Sequence, residues 1–487
     1  MPVAIRALFA DRMGVTGDRN LRGLFLLIAL TFAGLMLAAA PQVPDPLLRH
    51  DDFQALFNDA RGYYPKTRSE GRWLNYLWLL WTDPWPAPLS FALYQGSWAV
   101  YLGALVHLAF GRDTELWRKL SVALLAGLSA PMLLISFWFN TLLPGAMVCA
   151  AYGVLCVLLP ERWGRWLLVA FVPIALMGYT MNPLLLLAIC LTRRDAPRSA
   201  GHLAQVLAIF VGSFALGMLL IYTLNFAYHG VFGIPMADWR TPTPAHDIAS
   251  ALANVDRLVE VLALTARVIS YDTMPLTYVL LGLGLLALFQ VGRRDVWKAA
   301  YPLLGIAMGL ALIAVQAIKS GVVMPPRVLG FAFVFYAVLL GHLSQSLSLR
   351  AARVTLAGLA MLFAMFSVLQ YRNMVSWQHE TRRFATEIGT GPQTLFVTGT
   401  YLSIPAVRGA AIQHARALRL RLVYLTGRDV VLCEEEPQAC EALPPSLRHP
   451  ATGLDWSVAH AEGAVVLRLS DIPLRPARIP TRRPAAN

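Results

Sequence analysis

Between Arg49 and Trp73 the chain reads RHDDFQALFNDARGYYPKTRSEGRW. Two adjacent carboxylates, Asp51 and Asp52, stand just after the first segment apolar enough to cross a bilayer, and Tyr63, Tyr64 and Gly71-Arg72-Trp73 follow. Neighbouring carboxylates repel, which tends to raise one pKa and leave a usable base. A glycosyl transfer from a phosphate-linked donor needs such a base to take the proton of the acceptor hydroxyl. A plainer reading stands level with it: Asp51 and Gln54, ahead of FQALF, match a helix N-cap with its reciprocal glutamine.

The same chemistry needs cations where the phosphate leaves. Arg68, Arg72, Lys319 and Arg327 all fall next to apolar runs, and an arginine fork suits phosphate oxygens. The run KSGVVMPPR sets Lys319 and Arg327 around a Pro-Pro turn on an otherwise charge-poor side, and Arg240 in ADWR is a weaker candidate of the same kind. The alternative is that these side chains snorkel or hold lipid head groups unselectively. Tyr63, Tyr64, Trp73, Tyr76, Trp78, Trp81 and Trp85 crowd the first loop. Most fit an interfacial aromatic belt, while one or two could stack on a sugar ring. Tyr179 and Asn182 sit at the break in a second apolar stretch, and irregular backbone at membrane depth is tolerated where it lines a cavity or is buried in protein.

The elements that must position these residues are membrane helices. Of 487 residues 57% are hydrophobic and 14% charged, against roughly 25% charged in soluble domains. Apolar runs near 22–40, 87–110, 119–138, 142–160, 203–226, 274–291, 299–318, 328–346 and 354–371 each approach the length a spanning helix needs. The stretch 166–191 is longer than one span and is broken at Gly178-Tyr179-Thr180-Met181-Asn182-Pro183, where glycine and proline disfavour helix, so it divides into two short helices. The total is about eleven spans. The Ala38-Ala39-Ala40-Pro41 end of the first run could mimic a signal-peptide cleavage site, but an uncleaved span fits the recurring pattern better.

The net charge of +13 is explained by topology rather than by nucleic acid. Basic residues crowd GRDTELWRK, PERWGR, LTRRDAPRSAG, GRRDVWK and SLRAAR, alternate connectors that the positive-inside rule places with the N-terminus in the cytoplasm. The loops 41–86 and 228–273 and everything after Tyr371 then lie outside. In the second of these loops, AHDIASALANVDRLVEVLALTARVIS has helical apolar spacing with Asp256, Arg257, Glu260 and Arg267 on the other face, which suits a helix lying along the membrane surface.

After Tyr371 the character changes. Short β-rich runs (TLFVTGT, LRLVYL, AVVLRL) surround a helix-like AVRGAAIQHARAL, implying a small α/β domain over 372–475 behind a membrane domain over 1–371. The Pro- and Arg-rich end, 476–487, reads as disordered. Cys149, Cys156 and Cys190 lie in apolar runs as small core residues. Cys433 and Cys440 bracket CEEEPQAC and should form a disulfide if this region is extracytoplasmic. Metal binding there is weaker, with no histidine or second cysteine pair close by. The P-loop, GxGxxG, HExxH and GxSxG signatures are missing, and intramembrane charges are too sparse for an ion-coupled transporter.

The first span, Asp51-Asp52, Gly62-Tyr63-Tyr64 and Gly71-Arg72-Trp73-Leu74, leading into a Trp/Pro-rich approach to the second span, resemble the GtrII-like family of bacterial glucosyltransferases. That family belongs with the multi-spanning GT-C glycosyltransferases, and the likeness is most specific over residues 45 to 90. The resemblance implies an all-α polytopic, GT-C-like fold in a bacterial inner membrane. It implies an inverting hexosyltransferase that moves glucose from a polyprenyl-phosphate-linked donor to a glycan acceptor such as the O-antigen of lipopolysaccharide on the periplasmic side. In such enzymes an acid in the first outside loop is essential, which maps onto Asp51 and Asp52. Basic residues of later loops hold the lipid phosphate, for which Lys319 and Arg327 match by position, with Arg72 orienting the acids or the donor phosphate. The resemblance fixes no cofactor, and a divalent cation, Mg or Mn, is left open. A lipid or glycan flippase, an O-antigen ligase or polymerase, and a membrane anchor with a recruiting tail remain the rival readings.

Overall fold

The computed structural model describes residues 15–237, 240–271, 273–451, 456–461 and 463–474. The Pro- and Arg-rich end lies outside them. The chain divides into two compact units, one of residues 1–43 and 54–368, the other of residues 44–53 and 369–487.

The first unit is helical, with the architecture of a polytopic membrane protein. Among the described residues eight helices are long and apolar enough to cross a bilayer, or nine if the pair Leu116–Gly127 and Ala130–Ser136, bent by 61°, counts as one span. The helices Glu161–Gly178 and Asn182–Thr192 stand outside that count. They part where Gly178 and Pro183 anticipate a break, with Tyr179 in extended conformation between them. With neither water nor other partners in hydrocarbon, the backbone must satisfy itself, which is why helix persists through these runs.

Burial separates inner helices from outer ones. Ala87–Phe110 packs against Leu21–Ala38 and Phe139–Leu158 and is 67% buried, whereas Ala200–His229 is 28% buried. The outer faces carry Leu219, Phe226, Leu285 and Phe289, all exposed, as lipid-facing surfaces require. The amphipathic stretch of the 228–273 loop forms two helices, Ile248–Ala253 and Val255–Ile269. Val261 is buried, and the longer helix packs on Val296–Ser320, Ala130–Ser136 and the 3-10 turn Pro326–Leu329, while Ile248, Leu252 and Val259 stay exposed.

The second unit holds one four-stranded sheet, β1 (Thr394–Thr398), β2 (Val430–Leu432), β3 (Ser457–Ala461) and β4 (Ala464–Arg468), in the order β2-β1-β4-β3. β1 runs parallel to β2 and β4, with Phe396 opposite both Val431 and Val466, and β3 pairs antiparallel with β4. TLFVTGT and AVVLRL supply two of these strands. LRLVYL does not: it lies in the helix Ala415–Thr426, because Leu418 and Leu422, four residues apart, are both fully buried. The expected helix AVRGAAIQHARAL is also interrupted. It ends at Gly409 and resumes at Ala415, with Ala411 at positive φ (48°) between. Cys433 and Cys440 form the disulfide, their Cα atoms 5.7 Å apart, and Cys440 packs with Leu443 and Val466 against the sheet. Cys149, Cys156 and Cys190 are free and buried.

Residues 44–53 belong to this second unit through a charge pair that the sequence reading did not single out. Arg421, 2% exposed at its side chain, takes both carboxylate oxygens of Asp45, through Nη1 at 3.0 Å and through Nη2. Arg382 donates through Nε at 2.7 Å, and Gln378 reaches the Asp45 carbonyl at 2.9 Å. Burial raises the Asp45 pKa, yet the guanidinium groups of Arg421 and Arg382 outweigh it and hold the carboxyl below its ordinary range. A depressed folded pKa means the contribution is complete above the unfolded value of about 3.9 and is lost as pH falls through the lower folded value. Denaturant unfolding of the full chain followed from pH 7 to pH 2 should therefore show this unit weakening only below about pH 4. Asp45→Asn should cost about 3–5 kcal/mol at neutral pH by leaving Arg421 buried without its anion, and should flatten that acid limb.

Candidate functional site

In the first unit the cations converge on the turn Glu70-Gly71-Arg72. The helix Pro65–Glu70 closes on Gly71 at φ 69°, a left-handed conformation that costs glycine little. A Cβ there would come within 3.0 Å of Ile221 and 3.1 Å of Ile234, so a side chain would press on both besides the strain of its φ. The turn sets Glu70 and Arg72 side by side, Arg72 Nη2 lying 2.5 Å from Glu70 Oε2. Glu70 Oε1 faces Lys66 Nζ at 3.7 Å and Arg240 Nη2 at 3.8 Å, within Coulombic range but beyond a hydrogen bond. The Arg72 guanidinium also lies over the Tyr179 ring, 5.6 Å from its centroid.

Arg240 is carried by a loop strapped to the end of the helix Val296–Ser320. Thr243 N–H donates to the Ser320 carbonyl at 2.9 Å and Ala245 N–H to that of Lys319 at 2.9 Å. Buried Asn254 donates to the carbonyls of Thr243 and Ile318. Burial lowers the Arg240 pKa, Glu70 opposes that, and the neighbouring charges of Arg72 and Arg327 lower it further. An arginine remains charged at any working pH, so the shift marks burial first and neighbouring positive charge second, rather than titration. Arg327, in the turn Pro326–Leu329, stacks over Trp138 at 4.3 Å. Three of the five candidate cations, Arg72, Arg240 and Arg327, thus share one electrostatic neighbourhood. Lys319 takes part through its backbone carbonyl, and its side chain is exposed.

Behind the turn lies a polar and aromatic brace. Asn225, fully buried, accepts from Trp73 Nε1 at 2.9 Å and donates to the carbonyls of Arg68 (3.1 Å) and Gly233 (2.6 Å). Trp73 is itself buried, packed with Leu176 and Ile221, so its indole serves the core. Tyr64 stacks near His229 at 4.4 Å and donates to the Tyr228 carbonyl, while Thr67 Oγ1 meets His229 Nε2 at 2.7 Å. Tyr63 is enclosed, its hydroxyl accepting from Asn75, which also donates to the Gly178 carbonyl. The amide of Asn182 covers Gly145, where a Cβ would collide with it, and Gly145 and Gly178 let the two backbones approach. That approach places Tyr179 beside Arg72.

Asp51 and Asp52 fall in the second unit. Asp52 is fully buried, whereas Asp51 keeps 12% of its side-chain surface and lies 3.2 Å from His50 Nε2. The His50 ring meets His414 edge-on at 5.2 Å, and Arg49 donates to the Ala411 carbonyl at 2.6 Å, which is what the positive φ at Ala411 presents. The capping-box alternative fails on its reciprocal half. Gln54 gives its amide nitrogen to the Gly62 carbonyl at 2.7 Å, and its Oε1 takes no hydrogen bond among the described residues. No group of three or more histidines, cysteines or carboxylates that could hold a metal ion occurs among the described residues.

Sequence reasoning missed Glu70, Lys66, Trp138 and Asn225. Glu70 had a local signal, an acid and a base flanking a helix-ending glycine, whereas Asn225 and Trp138 sit in apolar runs with nothing to mark them. No family model, curated protein or solved structure matches the chain.

Asn225→Ala removes the acceptor of a buried indole N–H and the donors to two carbonyls. It should lower stability by about 1–3 kcal/mol in thermal unfolding of the detergent-solubilised protein, through the groups left without partners. Asn225→Asp should cost at least as much, since its carboxylate would face those two carbonyl oxygens while fully buried.

Proposed function

We propose that this chain is an integral-membrane glycosyltransferase that moves a sugar, glucose by its sequence resemblance, from a polyprenyl-phosphate donor to a surface glycan such as O-antigen. The observation that carries the reading is the gathering of Arg72 and Arg240 around Glu70, with Arg327 close enough to Arg240 to bear on its charge. Arginine forks set close to a bilayer suit a lipid-linked phosphate. In the reaction the acceptor oxygen bonds to the anomeric carbon, the carbon–oxygen bond to phosphate breaks, and the polyprenyl phosphate leaves with the electron pair. The acceptor proton passes to a carboxylate, which the sequence pattern assigns to the Asp51–Asp52 pair. Asp51 is the better base of the two, because it retains solvent exposure and has His50 beside it to take the proton onward.

The orientation follows the same reading. The N-terminus faces the cytoplasm of a bacterial inner membrane, and the first loop and the second unit face the periplasm, where the Cys433–Cys440 disulfide persists. The helix Val255–Ile269 then lies at the outer interface with its exposed apolar residues in the lipid.

Reconstituted with polyprenyl-phosphate glucose and a lipopolysaccharide acceptor, the protein should transfer sugar. Asp51→Asn with Asp52→Asn should cut the rate by about 10²–10⁴-fold, the usual scale of a lost general base. Arg72→Ala with Arg240→Ala should raise KM for the donor. Undiminished transfer by the aspartate variant removes the assignment of the base. Movement of labelled lipid across proteoliposomes without donor consumption makes the protein a flippase instead.

A further inference from the structure

Resting on the phosphate-binding reading, we infer that Glu70 is a product-release residue: its carboxylate competes with bound phosphate for Arg72 and Arg240 and so disfavours a doubly charged phosphomonoester relative to a singly charged phosphodiester.

The donor phosphate is esterified on two sides and carries one negative charge. When the bond to the sugar breaks, the phosphate keeps the electron pair and becomes a monoester, whose second ionisation near pH 6 leaves it mostly dianionic at neutral pH. A purely cationic pocket binds that dianion more tightly than the donor, and the product then blocks its own replacement. Glu70 counters this. Its Oε2 is 2.5 Å from Arg72, and its Oε1 lies 3.7 Å from Lys66 and 3.8 Å from Arg240, which puts a fixed negative charge among the ligands. The side chain is 11% exposed and its backbone is held by the Gly71 cap, so it does not swing away into water. Repulsion grows with the ligand's charge, and the second charge on the product meets it in full.

A carboxylate that merely positions Arg72 makes a different prediction. Its loss weakens both esters together, whereas loss of a release residue tightens the monoester selectively.

The test uses the purified full chain in nanodiscs, with farnesyl phosphate as the monoester and its methyl ester as the diester. At pH 8 Glu70→Gln should bind farnesyl phosphate at least about tenfold more tightly relative to the methyl ester than the wild type does, the scale of one charge at a partly solvated site. At pH 5, where the monoester carries a single charge, that selective gain should vanish. Arginines are not deprotonated in proteins, so Arg72, Arg240 and Arg327 keep their charge across the range. His229, which touches Thr67 one turn before Glu70, is held below its usual range by burial and by Arg68 in both proteins. Glu70→Asp should keep wild-type selectivity. Equal weakening of both esters, or an unchanged ratio, overturns the inference, and the phosphate reading survives if Arg72→Ala with Arg240→Ala loses both ligands. A wild type that binds neither ester overturns both readings.

Discussion

Glu70 draws Lys66, Arg72 and Arg240 from two separate stretches of chain toward one carboxylate. Like charges brought this close repel by several kcal/mol when partly desolvated, so an anion among them is what lets the loops settle together. The rest of the site follows from making that turn rigid. Gly71 supplies the left-handed backbone, with Ile221 and Ile234 packed close over it, and Asn225 ties the carbonyls of Arg68 and Gly233 to the indole of Trp73. Arg240 arrives on a loop hydrogen-bonded to the end of a membrane helix rather than on a free strand of chain.

The second unit has its own organising charge. Asp45, with Arg421 forked on its carboxylate and Arg382 at its edge, joins residues 44–53 to the α/β fold. Such a pair adds little net stability over apolar packing, yet breaking it is expensive. It specifies where the short segment bearing His50, Asp51 and Asp52 must lie against Ala411 and His414. The candidate base is thereby placed by a neighbour six residues upstream that takes no part in the chemistry.

Local patterns in the chain were legible where a single physical constraint acts alone. Hydropathy announced the membrane helices, Gly178 and Pro183 announced the break before Asn182, and two cysteines around an acidic hexapeptide announced the disulfide. Where two constraints compete, the reading failed. LRLVYL has strand composition but helical burial, since Leu418 and Leu422 must reach one core while Arg421 reaches Asp45. Trp73 looks like a sugar platform by type and is a core residue by placement, because its N–H finds Asn225.

The amino-acid sequence by itself determined a polytopic helical membrane domain followed by a small α/β region, since both follow from short-range apolar periodicity. It also marked which cations deserved attention, and Arg72, Arg240 and Arg327 do share a neighbourhood. Only the tertiary structure decided that Glu70 is the counter-ion of Arg72 and Arg240, and that Asp45 anchors the acid-bearing segment. The reason is physical: a charge acquires its role from the charges a few ångströms away, and those lie tens to hundreds of residues distant along the chain.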